Sequence, residues 1–371
     1  MQMINFKLAE LRKKNNLTQQ ELGEALGVSY QTISKWENGV VSPDITMLPR
    51  ISTWFGVSVD ALLGLVPLDE TYQPANSGTA EYWSNRIDYL KRTRKIMWNE
   101  DYMEFLVRSV WKLEKPVTIL DCGCGYGSLG LMLLPILPKG SRYVGIDFNE
   151  NMIAEAKRIY GGLAYDAEFI LADIASWRPR ETYDMVVSQA VLRHVNDGKF
   201  FLDRMIGFVG EGGLVVSMEC NREFEAAGLY LEGMDYGDLC EHSGLKKLWT
   251  TELRNQNRDY SIAMKIPHYM KQAGLHDIGC RMNDRVTFLE PQQEEYQEIL
   301  SGMIRADHWD DEKTKIQQQD DIAYFMNHGM SYREAEEYCR KENGIVRYLK
   351  ENRGNVALTR VNGVMISYGW K

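Results

Sequence analysis

The chain has 371 residues, long enough to bury more than one sizeable core, so two domains are the default expectation. Its 43 Lys and Arg stand against 52 Asp and Glu, a net charge of -9, which excludes the electropositive type that coats nucleic acid or anionic membrane and confines any DNA contact to a local face. Charges interrupt the N-terminal stretch, prolines split the longest apolar run (LGLMLLPILP), and the six cysteines are scattered, which predicts a cytoplasmic protein with no membrane partner and reduced thiols.

Residues 1–66 are dense in helix punctuation. Thr18 with Glu21 forms a capping box, Ser29 and Ser58 can cap further helices, Ser42-Pro43 opens another, and Gly27, Gly39, Gly56 and Gly64 mark stops. Between them Leu8, Leu11, Leu22, Ala25, Leu26, Ile33, Trp36, Leu48, Ile51 and Phe55 recur at helical spacing, which predicts about five short helices around one core, a small all-α domain. Within it, LTQQELGEALGVSYQTISKWENG sets a glycine turn between two helices and leaves Tyr30, Gln31, Ser34 and Lys35 on the outer face of the second, a face that fits a major groove. This stretch resembles the helix-turn-helix of the lambda-repressor-like, Xre-type DNA-binding family, over residues 5–64. The resemblance implies that Tyr30, Gln31 and Lys35 read bases, the Gln amide bonding adenine at two points and Lys preferring guanine or phosphate. Gln19, Thr32 and Asn38 would lie near phosphates. Six basic and six acidic side chains in residues 1–66 make the non-specific electrostatic attraction weak. Sequence-specific binding of operator DNA, as a homodimer on paired half-sites, is the expectation; a dimerisation or protein-docking module is the alternative.

Residues 67–80 (PLDETYQPANSGTA) have no apolar period and read as a linker, so the second domain spans 81–371. After a polar-aromatic helical stretch, strand candidates at 117–120, 143–146, 168–171, 183–188 and 213–218 alternate with helices, which predicts a mostly parallel sheet covered on both faces. Ligands of such sheets bind beyond the carboxyl ends of the strands. The segment VTILDCGCGYGSLG lies at the first of those ends. Cys122 and Cys124 have no companion Cys or His pair, so no metal site is expected there. Gly125, Gly127 and Gly130 satisfy the G-x-G-x-x-G spacing of a dinucleotide cradle, a match of low specificity by itself.

Taken whole, the segment is D-x-G-x-G-x-G after a strand. Together with GIDFNENMIAEAK, LADIASW and YDMVVSQAVLRHVND it resembles the class I S-adenosylmethionine-dependent methyltransferases of small-molecule type. The resemblance implies an α/β Rossmann-like fold, a seven-stranded, mostly parallel sheet with its last strand antiparallel, and S-adenosyl-L-methionine as cofactor. Asp121 would fix the turn and meet the cofactor's ammonium group. Gly123, Gly125 and Gly127 would let the backbone approach the methionine moiety, which a Cβ would block. Asp147, after the second strand, would accept hydrogen bonds from the two ribose hydroxyls, with Asn149 as the helix cap beside it. Phe148 would lie against the adenine, Asp173 and Ile174 would face its amino group and ring, and Gln189 follows the fourth strand.

The remaining pieces of the family pattern are a helix in AMKIPHYMKQAGL, a sixth strand in RVTFLE and a seventh in VALTRVNGVMISYGWK. Helical insertions at about 221–260 and 292–353 separate them, and insertions at the carboxyl edge of a sheet build substrate pockets or lids. Residues 291–344 carry thirteen acidic against six basic side chains, the wrong sign for gripping phosphates, and the chain lacks any Pro-Pro pair or Pro-Cys nucleophile. A small-molecule methyl acceptor is therefore expected, walled by Phe224, Tyr230, Tyr236, Trp249, Tyr260 and Trp309. Methyl transfer needs alignment and exclusion of water more than acid-base chemistry. His194, just beyond the fourth strand, is the candidate base for a hydroxyl or protonated amine. The expected function is a small-molecule methyltransferase fused to a DNA-binding head. Two alternatives stay open: a transcriptional regulator whose methyltransferase-like domain senses S-adenosylmethionine or a metabolite without turnover, and a nucleic-acid or protein methyltransferase that the head delivers to its target.

Overall fold

The computed structural model describes residues 6–65, 68, 84, 87–88, 90–91, 97–239, 244–256, 258–352 and 355–371. Apart from residue 68, the expected linker lies outside the described residues. The chain forms two compact units, one of Met1–Ala75, Gly237–Glu252 and Trp309–Glu351, the other of Asn76–Tyr236, Leu253–His308 and Asn352–Lys371. The first unit takes in residues from inside both expected insertions.

The first unit begins with α1 (Leu8–Lys14), α2 (Gln19–Leu26), α3 (Tyr30–Glu37), α4 (Met47–Phe55) and α5 (Val59–Leu62). Thr18 and Glu21 close the reciprocal capping box, and the Ser29 and Ser58 side chains accept from the Thr32 and Ala61 N–H groups. Every expected core position is buried except Leu48, which is half-buried. Ser42-Pro43 does not open a helix. The Asp44 carboxylate accepts from the Thr46 N–H (2.8 Å) and hydroxyl (2.6 Å), closing a turn that delays α4 to Met47. α4 packs against the helix Lys315–Asn327. There Asn327 Nδ2 donates to the Thr53 carbonyl at 3.0 Å, and Gln319 bonds both the Arg50 guanidinium and the Glu24 carbonyl. Gly56, in the left-handed region at φ 63°, leaves the room that Asn327 fills: a Cβ would lie 2.8 Å from Asn327 Cγ.

The second unit is built on a seven-stranded sheet. Its strands in chain order are β1 (Thr118–Cys122), β2 (Arg142–Asp147), β3 (Ala167–Leu171), β4 (Tyr183–Gln189), β5 (Val209–Cys220), β7 (His276–Met282) and β10 (Val364–Trp370), in spatial order β3-β2-β1-β4-β5-β10-β7. β1 to β5 run parallel, and β10 runs antiparallel to both its neighbours. Strand alternation feeds two cores. Ile119, Tyr143, Met185, Val187, Leu214 and Val216 join Leu129, Leu133 and Trp111 on one face. Leu120, Val144, Val186 and Val215 join Leu202, Met205, Ile262 and Ile266 on the other.

RVTFLE is a strand but not the sixth of this sheet. β8 (Val286–Leu289) belongs to a separate antiparallel sheet, where it and β6 (Leu229–Leu231) flank β9 (Leu358–Val361). The sixth position is taken by His276–Met282, whose mostly exposed side chains gave no apolar run to read. Likewise only Val364–Trp370 of the C-terminal stretch forms the antiparallel seventh strand.

Candidate functional site

The carboxyl ends of β1, β2 and β4 carry most of the predicted cofactor residues, and β1 continues directly into the glycine turn. Gly123, Gly125 and Gly127 have φ of 78°, 54° and 83°, a region costly for any residue with a Cβ. Gly123 and Cys124 both donate backbone N–H bonds to the Ile146 carbonyl (2.8 and 3.0 Å), which fastens the turn to β2.

The three glycines are needed for different reasons. A Cβ on Gly123 would sit 2.6 Å from Val191 Cγ2, and one on Gly127 would sit 2.8 Å from Tyr160 Cε2, so both face protein rather than a ligand. A Cβ on Gly125 would meet only Met152 Sδ, at 4.0 Å. Gly125 alone among them leaves open space of the kind a bound molecule could use.

Polar anchors below the turn complete it. Asp121 is 1% exposed, and its Oδ2 accepts from the Tyr143 hydroxyl at 2.5 Å. The Tyr160 hydroxyl donates to the Gly127 carbonyl at 2.6 Å, and Gly130 is the residue that leaves room for it. Neither tyrosine stood out in the sequence, where each reads as one more apolar position of a strand or helix. Burial, together with the Asp121 charge, pushes the Tyr143 hydroxyl well above its ordinary value, so it stays a donor. Cys122 and Cys124 are buried thiols likewise pushed up by burial and by Asp121. Cys124 packs into the space left by Gly145, where a Cβ would lie 2.7 Å from its Sγ.

Asp147 ends β2. Its Oδ2 accepts from the Gly125 N–H and its Oδ1 from the Asn149 N–H, both at 2.9 Å. Burial raises this carboxyl, against the lowering effect of those bonds and that of Phe148. A carboxylate offers about four acceptor sites, so each oxygen keeps capacity for a hydroxyl. Asn149 caps the following helix through the Met152 N–H (3.1 Å), as expected. Phe148 is 45% exposed. Asp173 is exposed and its Oδ1 accepts from the Ala175 N–H at 2.9 Å, whereas Ile174 is buried in the core beside Leu192 and Phe201. Gln189 is the last residue of β4 rather than just past it; it is 6% exposed, and its Nε2 has no hydrogen-bond partner among the described residues. Beyond it, Ala190 adopts φ 56°, held by its N–H bond to the Met218 carbonyl (2.8 Å). The buried Glu219 then accepts from the Val191 and Leu192 N–H groups, both at 2.8 Å. His194 closes this segment, its Nε2 accepting from Arg193 Nε at 3.1 Å. That bond requires the tautomer protonated at Nδ1.

Of the aromatic residues proposed as a substrate wall, Phe224, Tyr230, Tyr236 and Tyr260 belong to this unit, while Trp249 and Trp309 belong to the other. Trp309 is buried there and its Nε1 donates to Glu342 at 3.0 Å.

In the first unit, α3 presents Tyr30 (54% exposed), Gln31 and Lys35 to solvent, with Thr32 and Ser34 half-buried. Asn38 is exposed, with its Nδ2 3.3 Å from Ser34 Oγ. Gln19 is turned inward: its Nε2 donates to Glu37 at 2.9 Å, and Glu37 also receives Arg12 Nε and Nη2 at 2.5 and 2.9 Å.

Comparison with known proteins follows the same two regions. Residues 8–62 match a helix-turn-helix family model, and residues 113–301 match the family model of a methyltransferase domain. The ubiquinone biosynthesis O-methyltransferase of Bradyrhizobium sp. (strain ORS 278) is 32% identical over 118 residues, 32% of this chain and 46% of that protein. The HTH-type transcriptional activator BcrR of Enterococcus faecalis is 45% identical over 76 residues, 20% of this chain and 37% of that protein. The chain thus spans less than half the length of either relative. Among solved structures, phosphoethanolamine N-methyltransferase 2 of Haemonchus contortus in complex with S-adenosyl-L-methionine aligns with 81% of this chain and 61% of that one, at 14% identity and a TM-score of 0.44.

Proposed function

The chain belongs to the family of proteins with a methyltransferase domain, and on that premise we propose that it transfers a methyl group from S-adenosyl-L-methionine to a small-molecule acceptor, while its helix-turn-helix binds operator DNA. The observation that carries the reading is the glycine turn: three left-handed glycines beyond β1, tied through the Gly125 N–H to the Asp147 carboxylate of β2. The residues present fit the cofactor. Gly125 leaves its Cβ side open, Asp147 retains acceptor capacity for ribose hydroxyls, and the buried Gln189 Nε2 lacks a partner that a ligand atom would supply. Asp121 would support the turn from beneath, Phe148 would cover one adenine face, and Asp173 and Ile174 would line its edge. When bound, the cofactor supplies a methyl group already activated on its sulfonium, so the chain's residues need only align the partners and exclude water. For a hydroxyl acceptor the proton would pass to His194 Nε2, which must first give up its bond to Arg193; unchanged turnover in His194→Ala would remove that role.

In the head, Tyr30, Gln31 and Lys35 would contact bases, with Thr32, Ser34 and Asn38 nearer the backbone; Gln19 would reach a phosphate only on leaving Glu37. The similarity to a transcriptional activator over the N-terminal residues supports a regulatory role for this head. Calorimetry of S-adenosylhomocysteine tests the cofactor site: wild type should bind, and Asp147→Ala should lose roughly tenfold or more, since two charge-assisted bonds vanish. Release of S-adenosylhomocysteine with candidate acceptors then separates turnover from sensing, and a gel shift of the full chain on its own upstream DNA tests the head.

A further inference from the structure

Beyond the cofactor residues, the carboxyl edge of β4 and β5 holds a charge that the reading above leaves unused. Arg193 sits in the tight turn Leu192–His194, whose path is fixed by the two backbone bonds to Glu219. Its Nε is spent on His194, and its Nη1 is buried with no hydrogen-bond partner among the described residues. Neighbouring arginines are each provided for. Arg222 Nη1 donates to Glu225 Oε2 at 2.6 Å, and Arg360 Nη2 donates to Asp307 Oδ1 at 3.1 Å. Arg193 forms no salt bridge within 4 Å among the described residues, although the Glu225 and Glu219 carboxylates both act on it electrostatically, and Glu219 spends Oε1 on the Val191 and Leu192 N–H groups.

The neighbourhood is already rich in positive charge. Burial would raise the Glu225 carboxyl, but the charges of Arg222, Arg193 and Arg360 outweigh it and hold that group at about 2. Glu225 is therefore ionised at any ordinary pH, with its hydrogen bond going to Arg222 and only a through-space attraction reaching Arg193. A guanidinium keeps its charge in proteins. Left buried with an idle N–H, it calls for an anion rather than a neutral acceptor.

We propose that Arg193 anchors an oxyanion of the methyl acceptor, so that the substrate is a small molecule bearing a carboxylate or phosphate near the reacting group. The proposal rests on the methyltransferase reading and narrows its substrate class. Arg193 is placed to do this at the strand ends where ligands of such sheets bind, in the turn that follows the Gln189 end of β4 and within electrostatic reach of the Arg222–Glu225 pair following β5. Most of the acidic segment 291–344, from Trp309 onward, is counted with the other compact unit.

The test uses the full chain saturated with S-adenosylhomocysteine, titrated by calorimetry with benzoate, phenyl phosphate and benzamide. We expect at least one anion to bind, and benzamide to bind about tenfold more weakly or not at all. Which anion binds tells carboxylate from phosphate. Arg193→Gln should weaken the anion about tenfold while leaving S-adenosylhomocysteine binding unchanged, and Arg193→Lys should recover part of the loss, since it restores charge without the planar fork. Equal binding of anions and benzamide, no anion binding at all, or undiminished anion binding by Arg193→Gln each overturns the proposal. So does a loss of S-adenosylhomocysteine affinity in Arg193→Gln, which would give the guanidinium to the cofactor's own carboxylate. Failure of wild type to bind S-adenosylhomocysteine is a different result, and counts against the methyltransferase reading itself.

Discussion

Helix α3 of the head and the glycine turn of the sheet are the two surfaces proposed above to meet ligands, and they are held in opposite ways. α3 rests on apolar packing, with Ile33 and Trp36 buried beneath it and its polar bonds confined to the rim. The turn beyond β1 rests on buried polar bonds, from Tyr143 to Asp121, from Tyr160 to Gly127, and from Gly125 to Asp147. On α3 the atoms proposed to face a ligand are side chains, so one can be lost without moving the support. In the turn the atoms proposed to face a ligand are backbone, and the anchors hold that same backbone. Disturbing one should disturb the other.

The strongest break of this contrast is within the turn itself. Gly127→Ala puts a Cβ 2.8 Å from Tyr160 while also forcing alanine to φ 83°. Left-handed strain and overpacking together should cost about 2–5 kcal/mol, with loss of S-adenosylhomocysteine binding. Gly125→Ala has the strain but nothing nearer than 4.0 Å, so its cost should be about 1–2 kcal/mol. Thermal melting and calorimetry of the two variants check this. Equal destabilisation would show that the turn is not supported from the Tyr160 side.

What could be read from the sequence divides along the same lines. The parallel strands, the turn and the caps are local signals: a β-branched run, glycines where φ must be positive, Ser or Thr before a helix. Partnership is not local. Val286–Leu289 reads correctly as a strand, but alternation says nothing of which sheet it joins, and it pairs with β9. His276–Met282 is an edge strand with few buried side chains and left little to find. Helical patterning was legible across 292–353, while α4, the partner of Lys315–Asn327 within it, lies more than 250 residues earlier, as the Arg50–Gln319 bond across a separation of 269 attests. Tyr160 and Arg193 escaped for a related reason: a tyrosine on an amphipathic helix and an arginine after a strand look ordinary until their partners, or the lack of one, are seen.

A second, smaller perturbation addresses the rim of the head. Burial raises the Glu37 carboxyl, but the bonds from Arg12 and Gln19 more than offset it, and its net position is below the ordinary value. A carboxyl lowered on folding adds stability above its unfolded value, near about 4.3, and loses it as pH falls through the folded value. Glu37→Gln should thus destabilise the head by about 1–3 kcal/mol at neutral pH, because Arg12 is left without its charged partner. The difference from wild type should close as the solution is acidified below about 4. Hydrogen exchange of α1–α3 amides in the full chain reads this locally. A difference that persists unchanged at acid pH would mean the bonds matter for packing and not for charge.

The smallest expected effect separates the cap of α3 from its face. Ser29 Oγ accepts the Thr32 N–H at 3.2 Å, and Tyr30 and Gln31 lie in the turn this bond closes. Ser29→Ala should cost about 1 kcal/mol of helix stability and weaken operator binding through fraying of that first turn, without removing a charge. Its affinity should therefore fall in parallel at every salt concentration. Lys35→Ala leaves the cap intact and removes one cation, so its affinity should fall most at low salt, with the salt slope reduced by about 1 if Lys35 meets a phosphate. Fluorescence anisotropy on the chain's own upstream DNA across a salt series distinguishes the two. If Ser29→Ala also changed the slope, fraying of the cap would be moving charged groups, and the head's rim would be as tightly joined to its ligand surface as the anchors are in the glycine turn.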